Sequence, residues 1–162
     1  MIRTNEPTMQ VVIFALGDIE LAINIADVRE IDRLAPITHL PHVPDYVEGV
    51  INLRGQLVPI VNLRARLGLR QKAAPKTARI IVVEIGDRCM GMIVDLVREV
   101  ARIPTDQIDD SENVLAGLAA EYVAGLARID SRVIILLAVK NILGSGPAVA
   151  EAPATSADKE RT

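Results

Sequence analysis

The sequence predicts an all-β protein made of two small barrels, and three observations predict it. The chain repeats itself. Residues 11–31 (VVIFALGDIELAINIADVREI) align with 80–100 (IIVVEIGDRCMGMIVDLVREV), Gly17-Asp18 on Gly86-Asp87, at an offset of 86 − 17 = 69. Tyr46-Val47-Glu48-Gly49-Val50 aligns with Tyr122-Val123-Ala124-Gly125-Leu126 at 122 − 46 = 76, and that match runs on to Leu67-Gly68 and Leu143-Gly144. Second, no segment keeps a helical apolar period beyond about three turns. Third, half of the residues are apolar and nearly all are Val, Ile, Leu and Ala; only Phe14, Tyr46 and Tyr122 are aromatic. Branched aliphatics suit a pleated surface. Two repeats of about five short strands each suggest two barrels related by an approximate two-fold. Their interface should be apolar, because neither half is comfortable alone.

In order along the chain, residues 11–16 form an apolar strand, Gly17-Asp18 a turn, and residues 21–25 the returning strand. Residues 26–31 read as a short helical turn, since Val28 and Ile31 stand three apart. Residues 35–44 hold Pro36, Pro41 and Pro44, which predicts an extended edge or surface loop. Residues 46–52 and 57–63 read as strands around a hairpin turn at Gly55-Gln56, with Pro59 arguing for an edge or bulge. Residues 64–68 close the unit as one helical turn capped by glycine, and 69–78 connect the units. The second unit repeats the order: strand 80–85, turn 86–88, strand 89–94, short helix 95–100, a longer loop 103–121, strands near 124–129 and 132–139, and a last turn 140–143. The folded part is residues 9–144, as repeats of about 11–68 and 80–144. Residues 1–8 and the Ala/Pro/Ser-rich stretch 145–162 are expected to be disordered.

Composition narrows the function. A net charge of −3 predicts no general attraction to nucleic acid or anionic membranes. The lone cysteine, Cys89, excludes an internal disulfide and a multi-cysteine metal site, and reads as a small packed strand residue. The N-terminus has no apolar leader. The longest apolar run, residues 133–139, is a buried strand, since a membrane helix needs about twenty residues. The chain therefore reads as soluble and cytoplasmic, without membrane insertion.

No phosphate-binding loop and no nucleophile elbow is present. Ser111 and Ser131 have no histidine near them in sequence, and His39 and His42 lack further ligands at metal spacing. Asp109, Asp110 and Glu112 lack calcium-loop spacing. Arg64, Arg66, Arg70, Lys72 and Lys76 make residues 64–76 a basic stretch, which supports a nucleic-acid-binding double barrel as the alternative function; no stacking aromatic lies among them. The residue that stands out is Arg54, at a hairpin apex where the repeat has Asp130. The fold therefore does not require arginine there. Arg54 is either a recognition residue or a surface arginine paired with a local carboxylate such as Glu48.

These residues resemble the CheW family of bacterial chemotaxis coupling proteins. Residues 45–64, DYVEGVINLRGQLVPIVNLR, follow the family pattern YxxGVxNLRGxxxPIxDLR almost throughout. Phe14-Ala-Leu-Gly17, the 23–31 stretch with Val28, Glu30 and Ile31, the 93–100 stretch with Asp95, Val97 and Glu99, and Arg132-Val133-Ile134-Ile135-Leu136-Leu137 also match. The resemblance covers residues 9–144. It implies two SH3-like five-stranded β-barrels and a non-catalytic adaptor without a cofactor. The expected partners are the regulatory domain of the CheA-type histidine kinase and the cytoplasmic tip of methyl-accepting chemoreceptors, joined in membrane-associated arrays. By resemblance, Arg54, Asn52, Ile25, Val28, Ile31, Val94 and Val97 are assigned to the receptor, beside a groove between the barrels. Ile37, His39, Leu40, Val43 and Gly49 are assigned to the kinase. Two similar but unequal faces would permit head-to-tail contacts that close into rings with the kinase. The chain departs from the family at Asn62, usually aspartate, at Ala138, commonly polar, and in the 106–117 loop, which lacks frequent prolines. The coupling fold is expected to leave no room for a receiver domain, unlike the CheV type.

Overall fold

The computed structural model describes residues 7–109 and 120–143. The disorder expected of residues 1–6 and 145–162, and the 110–117 part of the proline-poor loop, lie outside the described residues. Among the described residues eleven strands follow in order: β1 (Thr8–Leu16), β2 (Ile19–Asn24), β3 (Val28–Arg33), β4 (Val47–Leu53), β5 (Gln56–Val61), β6 (Arg79–Ile85), β7 (Arg88–Val94), β8 (Leu96–Pro104), β9 (Ile108–Asp109), β10 (Val123–Ile129) and β11 (Arg132–Leu137). Two short helices, α1 (Leu63–Leu67) and α2 (Val139–Leu143), follow β5 and β11. β1 begins at Thr8, inside the segment expected to be disordered.

The strands form two sheets, ordered β3-β6-β7-β5-β4 and β8-β1-β2-β11-β10-β9. Each closes through a bent strand. In the first, the chain leaving β3 turns back at Thr38, whose N–H and C=O pair with Val50 of β4, both at 2.9 Å. In the second, β8 bends through a 3₁₀ turn at Thr105–Gln107 and returns as β9 against β10. With β8 and β9 counted as one bent strand, both sheets are five-stranded barrels of the same order.

The barrels do not coincide with the repeats. Each repeat places its first hairpin in the other repeat's barrel: β6 and β7 sit between β3 and β5, and β1 and β2 sit between β8 and β11. One barrel per repeat is therefore replaced by a reciprocal exchange, which preserves the pseudo-two-fold.

Of residues 26–31 only Ala26 and Asp27 are helical, in a 3₁₀ turn at Ile25–Asp27; residues 28–31 belong to β3, and 96–100 belong to β8 rather than to a helix. Bulges explain the misleading spacing. Val28 pairs with Val83 but Glu30 with Val82, so Arg29 is an extra residue. Val97 pairs with Phe14 but Glu99 with Ile13, so Arg98 is its counterpart. A bulge adds one residue to the two-residue period, so aliphatics three apart share a face. Pro59 is not on an edge strand, since β5 lies between β7 and β4. It is tolerated because the ladder to β7 starts only at Ile60, and Val50 opposite gives its own backbone groups to Thr38.

Three apolar clusters hold the fold. Ile51, Val58, Ile60, Ile80 and Val82 fill the first barrel. Val11, Ile13, Ala22, Ile103, Ala127, Ile134 and Leu136 fill the second. The largest lies in the seam between them and includes Val12, Phe14, Leu21, Ile81, Val83, Met92, Val94 and Ile135. Alternate residues of β1 and β6 thus serve a barrel on one side and the seam on the other, which is why these strands read as unbroken apolar runs.

Candidate functional site

The β4–β5 hairpin has a two-residue turn, Arg54-Gly55, with φ of 54° and 86°. Positive φ at both central positions is what a type I′ turn requires, and such turns favour Asn-Gly or Asp-Gly. Arginine there is strained. Asn52 holds the turn, its Oδ1 accepting from the Gly55 N–H at 2.8 Å. Asp130, at the matching turn, also has positive φ (57°), so the left-handed first turn position is shared and the arginine is not.

Arg54 reaches across to β3. Its Nη1 donates to both carboxylate oxygens of Glu30, at 2.7 and 2.8 Å, and its side chain remains 68% exposed. The Glu30 carboxylate raises the guanidinium's already high pKa, so the charge is permanent. Glu48 is not the partner; it accepts from Asn62 Nδ2 at 2.8 Å. Beside this pair, Arg29 donates to Gln56 Oε1 at 2.9 Å and to Cys89 Sγ at 3.6 Å. Burial pushes the Cys89 thiol up, so it is neutral.

The aliphatic residues assigned beside a groove divide into three groups. Val28 and Ile31 of β3 share the seam face of β6, because they pair with Val83 and Ile81. Val97 of β8 pairs with Phe14 and so lies on the corresponding face of the second barrel. Ile25, Val28 and Val97 are half-buried against the seam cluster, and Ile31 is exposed. Val94 is fully buried and presents nothing to a partner. Val100, the repeat counterpart of Ile31, is 49% exposed on the same face as Val97 and was missed; the internal alignment carried the signal.

The other set lies on the segment that closes the first barrel. Ile37 is half-buried against the barrel interior. His39 is exposed, its Nδ1–H donating to the Glu48 carbonyl at 2.8 Å, and Leu40 and Val43 are half-buried. Gly49 is buried, and a Cβ there would lie 2.1 Å from the Thr38 carbonyl oxygen. It is a packing requirement of the closure rather than a contact surface. Leu57, on the outward phase of β5, is 47% exposed.

Two of the five cations of the basic stretch are committed internally, and Arg70, Lys72 and Lys76 are exposed. Arg64 pairs with Asp95, which also accepts from the Gly17 N–H at 2.8 Å. Arg66 lies 4.1 Å from the Tyr46 ring and 5.1 Å from the Tyr122 ring, and donates to the Ile142 and Asn141 carbonyls at 3.2 Å. Among the described residues no group of three His, Cys, Asp or Glu is placed to hold a metal ion, and no helix is long and apolar enough to cross a membrane.

Two closed β-barrels packed across an apolar seam, with a cation exposed on a hairpin apex, are the class of fold to which the comparisons speak. Residues 10–146 match the CheW-like domain family, and the chain belongs to that family. It is 38% identical over 135 residues to the probable chemotaxis protein CheW of Rhizobium etli, covering 82% of this chain and 86% of that one. It is 37% identical over 138 residues to the chemotaxis protein CheW of Rhizobium meliloti, covering 84% and 88%. The crystal structure of the scaffolding protein TtCheW from Thermoanaerobacter tengcongensis superposes with a TM-score of 0.80 at 32% identity, covering 86% of this chain and 95% of that one. The chain is thus a non-catalytic coupling adaptor of chemotaxis, and the comparisons lend the nucleic-acid alternative no support.

Proposed function

We propose that this adaptor couples transmembrane chemoreceptors to the regulatory domain of a CheA-type histidine kinase in the cytoplasm, within receptor arrays. The observation that carries the reading is Arg54. It occupies a left-handed turn position where asparagine or glycine would be easier, its repeat counterpart is aspartate, and it stands exposed beside the seam-facing strand β3. A helical hairpin tip can lay an apolar face against Ile25, Val28, Ile31 and Val97, while Arg54 sets its register through a carboxylate or carbonyl. Ile37, His39, Leu40 and Val43 are the proposed kinase surface, Gly49 acting by holding their segment in place. Docking of the related kinase domain on one barrel and a different contact on the other would allow ring closure.

The test is calorimetric titration of the full chain, separately, with the kinase regulatory domain and a receptor tip fragment from the same genome. Saturable one-to-one binding to each is expected. Absence of binding to both would remove the proposal.

A further inference from the structure

We propose that Arg29 is the cation through which this chain recognises a carboxylate on the docked receptor tip; the proposal rests on the receptor-binding reading above. The repeat supplies an internal comparison at five equivalent positions. Arg29 corresponds to Arg98 (98 − 29 = 69), and each is the extra residue of a bulge. Bulges re-aim a side chain out of the regular pleat. In the second barrel the re-aimed Arg98 meets Glu20 at 2.7 Å, and Glu20 also holds Arg132 at 2.9 Å. Arg132 in turn reaches Glu99 at 3.2 Å. Both arginines of that end are paired internally.

In the first barrel the same architecture lacks its acid. The counterpart of Glu20 is Cys89 (89 − 20 = 69), and the counterpart of Arg132 is Gln56 (132 − 56 = 76). Arg29 therefore faces a neutral amide at 2.9 Å and a thiol at 3.6 Å. The next residue along the strand, Glu30, gives both oxygens to Arg54. Among the described residues no carboxylate forms an ion pair with Arg29. The five equivalent positions sum to +1 here (Arg29, Arg54, Glu30, Gln56, Cys89) and to −1 at the other end (Arg98, Asp130, Glu99, Arg132, Glu20); Glu84, across the ladder from Cys89, brings a further carboxylate to this end but forms no ion pair with Arg29. Arg54 is charged but already paired. The unspent cation of the patch is Arg29, the residue before Glu30 and itself bonded to Gln56 of the hairpin, and it calls for an acidic side chain on the partner.

The full chain and its variants are titrated with a receptor hairpin-tip fragment over a range of salt concentrations. Arg29→Gln should bind about threefold to tenfold more weakly, the size of a rim ion pair, with a flatter salt dependence. Cys89→Glu rebuilds the arrangement found at Glu20, so it should weaken binding similarly while Arg29 is still present. Cys89→Val should bind as the wild type does. Wild-type affinity and salt dependence in both Arg29→Gln and Cys89→Glu would overturn the assignment to Arg29 while leaving receptor binding intact. A wild-type chain that does not bind the tip would overturn the receptor reading and this inference with it. Wild-type tip binding by Arg29→Gln together with lost self-association would assign the carboxylate to a second copy instead.

Discussion

Gly49→Ala separates a packing role from a contact role at one position. Gly49 has φ of 152°, a region essentially reserved for glycine, and an added Cβ would lie 2.1 Å from the Thr38 carbonyl oxygen and 2.8 Å from its carbon. Backbone, not a flexible side chain, fills the space, so relief requires the closing segment to move away. That movement breaks the two Thr38–Val50 hydrogen bonds, both 2.9 Å. Two hydrogen bonds at about 1 kcal/mol each, plus about 1 kcal/mol of residual backbone strain, give about 3 kcal/mol. In a domain of this size that lowers Tm by about 10 °C. Thermal unfolding followed by circular dichroism measures it, alongside titration with the kinase regulatory domain. Kinase binding should fall with stability, because Ile37, His39, Leu40 and Val43 ride on the displaced segment. A variant that melts within about 2 °C of the wild type would refute the reasoning, and loss of kinase binding in such a variant would make Gly49 itself the contact.

Arg54→Asn places a turn-compatible residue at φ of 54° and removes the guanidinium. It should melt at or above the wild-type temperature and lose receptor-tip affinity; a marked drop in the melt would show that the Glu30 pair is structural. Glu20 has its pKa held below the ordinary carboxylate range, first by the Arg132 hydrogen bond and then by Arg132 and Arg98 charges. A depressed carboxylate contributes stability above its unfolded pKa, about 4.3, and loses it as pH falls through the folded value. Glu20→Gln should therefore cost about 1 kcal/mol at pH 7 and flatten the acid limb of the stability profile; an unchanged acid limb would contradict the pairing.

Much of this architecture was legible in the sequence. The duplication, the hairpins at Gly17 and Gly86, the extended proline segment and the arginine at the fourth-to-fifth strand turn all stand where the residues put them. What was misread follows from specific physics. The bulges at Arg29 and Arg98 imitate helical spacing, and only the pairing register reveals them. Val94 reads as a groove residue because its strand alternates normally, yet both faces of that strand are covered, one by a barrel interior and one by the seam. Glu48 is nearer to Arg54 in sequence than Glu30 is, but it sits at another bulge and turns to Asn62, while barrel closure brings β3 to the hairpin tip. Internal alignment identifies which segments are equivalent; it carries no information on which of them pair.

The exchange of hairpins between the repeats has a folding consequence. Each barrel contains a hairpin from the other repeat, so neither repeat holds the strands to close one. A cut in the exposed connector, between residues 73 and 74, divides both barrels and the seam at once. The half with β1 to β5 would keep β3, β4 and β5 without the hairpin that separates β3 from β5. Its β1–β2 hairpin would expose Val12, Phe14 and Leu21, which the intact chain buries. Each half alone should lack a cooperative melt, since long-range strand pairing and apolar burial are lost together. Mixed in equal amounts, the halves should regain a single transition and the mixture should bind the kinase domain, because the exchanged hairpins can pair between fragments as they do within the chain. Either half melting cooperatively as a monomer would show that a repeat can close its own barrel, and the exchanged topology would then be one of two accessible arrangements of this chain.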